Sequence, residues 1–337
     1  MQELAKLDLG ADIASERAEA KVKAKRLLKS VIEQYLQARE IDLRKGELRQ
    51  TTFTEISRYL TKTFKRLHHM PIGAIQRADV ASILRDKANN GSPVAAATAR
   101  SVLSTFFAWA IGEGFVDANP VAGTNKAKVG KPRTRKLEDA ELAKVWNACA
   151  DDDYGKIIRL LILTGARRDE IGGMQWKELD PPEKLNNRAW TLPAERSKNG
   201  LPLKLLLPRL AWDIIKAVEP RTFNDHLFGI GKHGFNNWHA TKKALQQRSG
   251  TTGWTVHDLR RSAATGMANI GIQPHIIEAV LNHQSGHKAG VAGIYNLATY
   301  ETEKRNALAI WADHIASITS GEDRKILQFP AETGAAS

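Results

Sequence analysis

A single cysteine, Cys149, occurs in 337 residues. An intramolecular disulfide is therefore impossible, and a cysteine-built zinc site is excluded. Long apolar runs are also missing. The best stretch, Ile157 to Leu163, is short and broken by Arg159, so a membrane span is not expected. The first residues lack the basic start, apolar stretch and small-residue cleavage site of a signal peptide, which makes a reducing cytoplasm the expected compartment. No phosphate-cradling P-loop, no glycine-serine-glycine nucleophile elbow and no metal-binding His-Glu pair is found. The expected chemistry therefore needs neither a metal nor a nucleotide cofactor. Acidic residues are in deficit: 37 Asp and Glu face 50 Lys and Arg, a formal net charge of +13. That balance points to a polyanionic partner, with nucleic acid preferred over an anionic membrane surface.

What is present organises into two parts, as the length suggests. Ala11 to Ser30 is rich in Ala, Glu, Lys and Arg and is expected to be a solvated helix. Helices are expected from Val31, from Phe53 to Leu67 with Phe53, Ile56, Leu60 and Phe64 on one stripe, from Arg77, and from Ala95 to Gly112. Asn89 to Pro93 reads as a turn. Residues 126–136 carry Lys126, Lys128, Lys131, Arg133, Arg135 and Lys136 with no acid, plus Gly130 and Pro132. A run of this kind does not pack into a core. It reads as a basic linker, solvated or lying along a DNA backbone.

Beyond the linker, a helix is expected to start at Leu137-Glu138-Asp139, and an apolar helix from Ile157 to Thr164 should stop at Gly165. Trp176 to Leu179, Ala189 to Leu192 and Leu203 to Leu207 read as short strands, with Asn199-Gly200 as a turn. Four or more helices follow from Leu210 to Ser317. Ile326 to Phe329 reads as a lone terminal strand, ahead of a disordered end.

An ordered set of chemically active residues runs through this second part: Thr164-Gly165-Ala166-Arg167, Lys198-Asn199-Gly200, His257-Asp258-Leu259-Arg260, Leu281-Asn282-His283 and Tyr295. Arginine forks bind non-bridging phosphate oxygens in pairs. A tyrosine hydroxyl among such cations ionises more easily and can attack phosphorus. His257 and Arg260 are three apart, so a helix presents both on one face. Glu170, one turn beyond Arg167, is placed to hold that guanidinium. The set has one natural substrate, a phosphodiester.

The order and local wording resemble the tyrosine recombinase (phage integrase) family from about Lys25 to Trp311. Asp258-Leu259-Arg260-Arg261-Ser262 carries the strongest match, and the wording from Gly290 to Trp311 looks like integrases of prophages and genomic islands. The resemblance implies a mainly α fold with a small antiparallel β-sheet. A helical core DNA-binding domain (26–125) would precede the linker, and an α+β catalytic domain (137–320) and a tail (321–337) would follow. Residues 1–25 resemble the tail of a further arm-binding domain, as in a shortened form or a naturally short member. The resemblance implies site-specific strand exchange on double-stranded DNA attachment sites, by a homotetramer that accessory DNA-bending proteins assist. Tyr295 would be the nucleophile, with Tyr300 its nearby competitor. Arg167, Arg260 and His283 would stabilise phosphate charge, and Lys198 would protonate the leaving 5′ oxygen. His257 would serve as general base or phosphate contact. Many family members have glycine where Asn282 stands. DNA-backbone contacts are expected from Lys126, Lys128, Lys131, Arg133 and Arg135. A topoisomerase-like nicking enzyme and a catalytically inactive DNA-binding protein are the alternatives. Lys325 to Phe329 is expected to dock on a neighbouring protomer or on its own domain.

Overall fold

The computed structural model describes residues 22, 25–131, 133–180, 188–222, 224–283 and 298–320. Tyr295, most of residues 1–25 and the tail from 321 onward, with its expected docking segment, lie outside the described residues. The chain divides into two units, Met1–Pro132 and Arg133–Ser337.

The first unit is helical because its apolar residues recur at helical spacing. In Leu28–Arg44 the buried positions are Leu28, Val31, Ile32 and Tyr35, one stripe of a 3.6-residue period. Arg77–Asn89 begins with a capping box, in which the Gln76 backbone N–H donates to Asp79 Oδ2 at 2.9 Å. Pro93–Gly112 opens on proline, which lacks only an N–H that the first turn leaves unpaired anyway. The same helix closes on Gly114 at φ +68, with Gly114 N–H donating to Ile111 O and Phe115 N–H to Ala110 O, both at 2.9 Å. Tyr35 packs edge-on against Phe106 at 5.4 Å and against Trp109 at 5.1 Å. By length and composition Pro93–Gly112 could cross a bilayer, and Arg100 is what breaks its apolar run. Here Ala99, Leu103, Phe106, Phe107 and Ala110 bury its apolar face in the core.

The helix expected from Phe53 to Leu67 is not continuous. Gln50–Arg58 passes into a π turn, Tyr59–Thr63, and a 3₁₀ turn, Lys65–Leu67. The π turn inserts one residue into the helical period, marked by Phe64 N–H donating back to Tyr59 O at 3.4 Å. Adjacent Tyr59 and Leu60 are thereby both buried.

In the second unit, helices Asp139–Asn147, Asp153–Thr164, Val256–Asn269 and Glu301–Ser320 contribute to one core. Glu301–Ser320 is fixed at two points of its buried face. Trp311 Nε1 donates to Ile162 O at 2.8 Å, and buried Lys304 donates its Nζ to Lys204 O at 2.9 Å. Cys149 is buried, its Sγ 3.2 Å from Val145 O, and burial pushes the thiol up to about 12. The sheet is a two-stranded antiparallel hairpin. Strand β1, Ala189–Leu192, pairs with β2, Leu203–Leu206, Trp190 lying opposite Leu205. Burying Trp190 fully contributes roughly 3 kcal/mol. A loop of residues 193–202 joins the strands and carries Lys198.

The third expected strand, Trp176 to Leu179, is instead a 3₁₀ turn, Trp176–Glu178. Its Glu178 is buried, accepts from Trp190 Nε1 at 3.0 Å and pairs with Arg196 Nε at 2.8 Å. Turning this carboxylate inward closes the chain on itself, and Leu179 keeps only an isolated bridge to Trp190.

Asp153–Thr164 stops at Gly165, whose φ of +63 suits glycine. A Cβ there would stand 2.7 Å from Leu281 Cδ2. Gly165→Ala is therefore expected to destabilise the protein by about 2 kcal/mol, combining left-handed strain with overlap. Urea unfolding checks this, with a lowered midpoint expected.

Candidate phosphodiester site

The site grows from the bend at Gly165. The chain leaves the apolar helix, passes Ala166 and enters the short helix Arg168–Gly172, with Arg167 as its N-cap. Glu170, which is buried, grips Arg167 twice. Its Oε2 accepts the Arg167 backbone N–H at 2.8 Å and its Oε1 accepts Nη1 at 2.7 Å. Nη2 of Arg167 reaches Asn282 O at 3.3 Å.

Arg260 projects from Val256–Asn269 onto the same bend. Its Nη1 donates to Gly165 O at 2.8 Å and its Nη2 to Leu281 O at 2.7 Å, and only 8% of the residue is exposed. Two backbone carbonyls thus aim the guanidinium. Burial first, then the charge of Arg167, push Arg260 down to about 10, so it stays charged at neutral pH; Glu170 opposes that shift. Two guanidinium groups held this close form an anion site by electrostatics alone.

His257 lies one turn before Arg260 and is exposed. Burial of part of its ring, then the charges of Arg261 and Arg260, hold it below the ordinary 6.5, while Asp258 opposes them. Lys198 adds a smaller push in the same direction, which places its ammonium in the field of this imidazole. The shift favours the neutral ring, the form able to accept a proton. Lys198 itself is exposed on the 193–202 loop. His283 is exposed and follows Asn282, which adopts φ +50. Tyr300 stands just before Glu301–Ser320, its ring 5.4 Å from that of His275. The structure thus gathers Arg167, Glu170, Arg260, His257 and the Lys198 loop, and places His283 at the neighbouring turn.

Several residues at this site had no role assigned from sequence. Asp258 is fully buried and accepts from Thr255 N–H at 2.8 Å, Thr255 Oγ1 at 3.0 Å, Arg133 Nε at 2.9 Å and Arg261 Nη1 at 2.8 Å. Burial alone would raise this carboxyl, but the Thr255 N–H, the Arg133 guanidinium and the Thr255 hydroxyl outweigh it and hold it low. Arg196 braces Glu170 from behind, donating Nη2 to its carbonyl at 2.6 Å. Asn199 donates Nδ2 to Asn282 O at 2.9 Å.

Of the six linker cations, Lys136 pairs with Glu138 at 2.8 Å, and the five expected at the DNA backbone divide. Lys126, Lys128 and Lys131 are exposed. Arg133 is paired with Asp258, and Arg135 Nη1 donates to Glu141 Oε2 at 2.8 Å. The last two are committed to carboxylates of their own unit, a pairing that a run of basic residues cannot disclose in sequence.

Residues 135–301 match the model of the phage integrase family, and residues 21–127 match that of the phage integrase central domain. Prophage integrase IntA of Escherichia coli (strain K12) is 27% identical over 217 residues, covering 62% of this chain and 51% of that protein. Prophage integrase IntZ of the same organism is 28% identical over 255 residues, covering 73% of this chain and 61% of that protein. The chain therefore spans between half and two thirds of these relatives' length. Among solved structures, a lambda integrase tetramer bound to a Holliday junction superimposes with a TM-score of 0.62 at 20% identity, covering 80% of each chain. A lambda integrase(75-356) dimer bound to a COC' core site gives 0.61 at 20% identity, covering 77% of this chain and 96% of that one. These likenesses show the fold: mainly helical, with a small antiparallel sheet.

The Asp258 cluster has a measurable signature. Asp258→Asn is expected to lower stability at neutral pH by about 3 kcal/mol, as breaking a buried pair does. The folded carboxyl titrates below its ordinary 3.8. Its contribution is thus present above that pH and is lost as pH falls through the folded value. Urea unfolding of wild type and variant should converge on acidification, and a gap that stays constant would contradict this linkage.

Proposed function

The chain belongs to the phage integrase family, and from that premise we propose that it is a site-specific DNA recombinase of the tyrosine type. The guanidinium pair of Arg167 and Arg260, aimed by Glu170 and two backbone carbonyls, is the observation that carries this reading. A scissile phosphate held by the pair would receive Tyr295 Oη at phosphorus. The Oη–P bond forms, the P–O5′ bond breaks, and the strand stays attached to the protein through a 3′-phosphotyrosyl ester. Lys198 gives its proton to the departing O5′. His257, whose neutral form its surroundings favour, takes the tyrosine proton or hydrogen-bonds the phosphate, and His283 contacts a phosphate oxygen. An incoming 5′ hydroxyl from another strand reverses the steps. Ester replaces ester, so no external energy source is required. Each preorganised donor to the developing phosphate charge is worth about 3 kcal/mol.

In this reading residues 26–125 bind the core site, 137–320 carry the chemistry, and 126–136 connect them. The partners are duplex attachment sites and three further copies of the chain, with accessory DNA-bending proteins. The enzyme acts on DNA in the cytoplasm. The relatives named above, prophage integrases and a tetramer on a Holliday junction, support a mobile element as the cargo.

The decisive experiment is covalent trapping on a nicked duplex of the element's end sequence. Wild type should form an adduct and Tyr295→Phe should form none while still binding. An adduct lost instead in Tyr300→Phe would reassign the nucleophile. On a 5′-bridging phosphorothiolate, whose leaving group needs no proton, Lys198→Ala should recover and Arg167→Ala and Arg260→Ala should not. Recovery of all three alike would remove the acid role from Lys198.

The linker makes a separate prediction. Neutralising Lys126 and Lys128, both exposed, should weaken binding to every sequence alike. The salt slope should flatten by roughly 0.9 for each phosphate no longer neutralised. An unchanged slope would make the linker a spacer only.

A further inference from the structure

Asn282 occupies a backbone position that favours glycine, at φ +50. Asparagine is the side chain that tolerates this region best, because its short amide can hydrogen-bond locally. Here the amide is turned toward the 193–202 loop. Nδ2 of Asn282 lies 3.1 Å from Ser197 Oγ, 3.1 Å from Leu201 O and 3.4 Å from Asn199 Oδ1. Asn199 answers with its own Nδ2, 2.9 Å from Asn282 O and 3.2 Å from Asn282 Oδ1. Ser197 Oγ donates to Asn199 Oδ1 at 2.5 Å, closing the network. Ser197 and Asn199, which flank Lys198 directly, and Leu201 beyond them are thus tied to one residue. That residue also offers its carbonyl to Arg167 and precedes His283 in the chain.

A glycine at this position would keep the turn and the backbone carbonyl that Asn199 Nδ2 meets, but would remove the four hydrogen bonds that the side-chain amide makes. The loop joining β1 to β2, held then by the Asn199 bond alone, would meet more of its ordering cost at the moment of reaction. We propose that Asn282 is a positioning residue that holds the Lys198 loop against the guanidinium pair before DNA arrives, so that proton delivery by Lys198 depends on the Asn282 amide. The inference rests on the recombinase reading above and adds to it a latch built from a side chain.

Asn282→Gly is the informative variant, because glycine suits the backbone and the fold should survive. Trypsin cleavage after Lys198 in the DNA-free protein should be several-fold faster in Asn282→Gly than in wild type. Single-turnover adduct formation on the nicked duplex should slow by about tenfold, a fraction of the ~100-fold or more that a general acid contributes. DNA affinity should be unchanged. On the 5′-bridging phosphorothiolate the defect should disappear, and Asn282→Gly should add nothing to Lys198→Ala on the normal substrate. A defect that persists on the phosphorothiolate would place the effect on Arg167 and overturn the latch, as would equal trypsin sensitivity or a normal rate. If wild type itself forms no Tyr295 adduct, the recombinase reading fails first and this inference with it. The trypsin arm still reports separately whether the amide holds the loop.

Discussion

Everything at this site depends on keeping two like charges together. Arg167 and Arg260 repel each other, and burial of Arg260 makes the repulsion stronger. The fold opposes it with fixed acceptors: Glu170 for one guanidinium, and the carbonyls of Gly165, Leu281 and Asn282 for the two forks. Those carbonyls are free to accept because each lies where regular helix has stopped, at the Gly165 bend and the turn after Pro274–Val280. The helix stops are therefore part of the chemistry. A continuous helix would have paired the same oxygens with its own amides.

The buried framework behind the site follows the same logic. Asp258 collects donors from its own helix start, from the adjacent turn of that helix and from Arg133. His257 and Arg260 project from the same anchored helix. Leu137 N–H donates to Ser262 Oγ at 2.7 Å, and Ser262 donates to Asp258 O at 2.9 Å, so the start of the second unit is sewn onto the same helix. Net positive charge alone would assign every linker cation to DNA. The structure pairs Arg133 with Asp258 of this helix and Arg135 with Glu141 of Asp139–Asn147.

Sequence disclosed most of what depends on local spacing. Glu170 three residues after Arg167, and Arg260 three after His257, are helical intervals, and the structure uses both. The hairpin strands were legible as short apolar segments on either side of the Asn199-Gly200 turn, and the helix stop at Gly165 from glycine after an apolar run. What escaped depends on partners distant in the chain. Trp176 to Leu179 has strand composition, but Glu178 meets Arg196 and Trp190 and pulls the segment into a turn. The π turn at Tyr59–Thr63 answers to packing and leaves no mark in composition. Arg133 and Arg135 looked like spare charge because their carboxylates lie elsewhere. Asn282 stood out only as a departure from glycine. Its meaning came from the backbone angle and from three acceptors more than eighty residues upstream.

Cys149 gives the protein an unplanned experimental convenience. It is the sole thiol in the chain, it is buried, and burial holds it at about 12. Thiolate is the reactive form, so the folded protein presents almost none. A cysteine introduced at an exposed position of the 193–202 loop would therefore react with a maleimide dye alone. Fluorescence from that dye could follow the loop in the native protein without first deleting a core side chain.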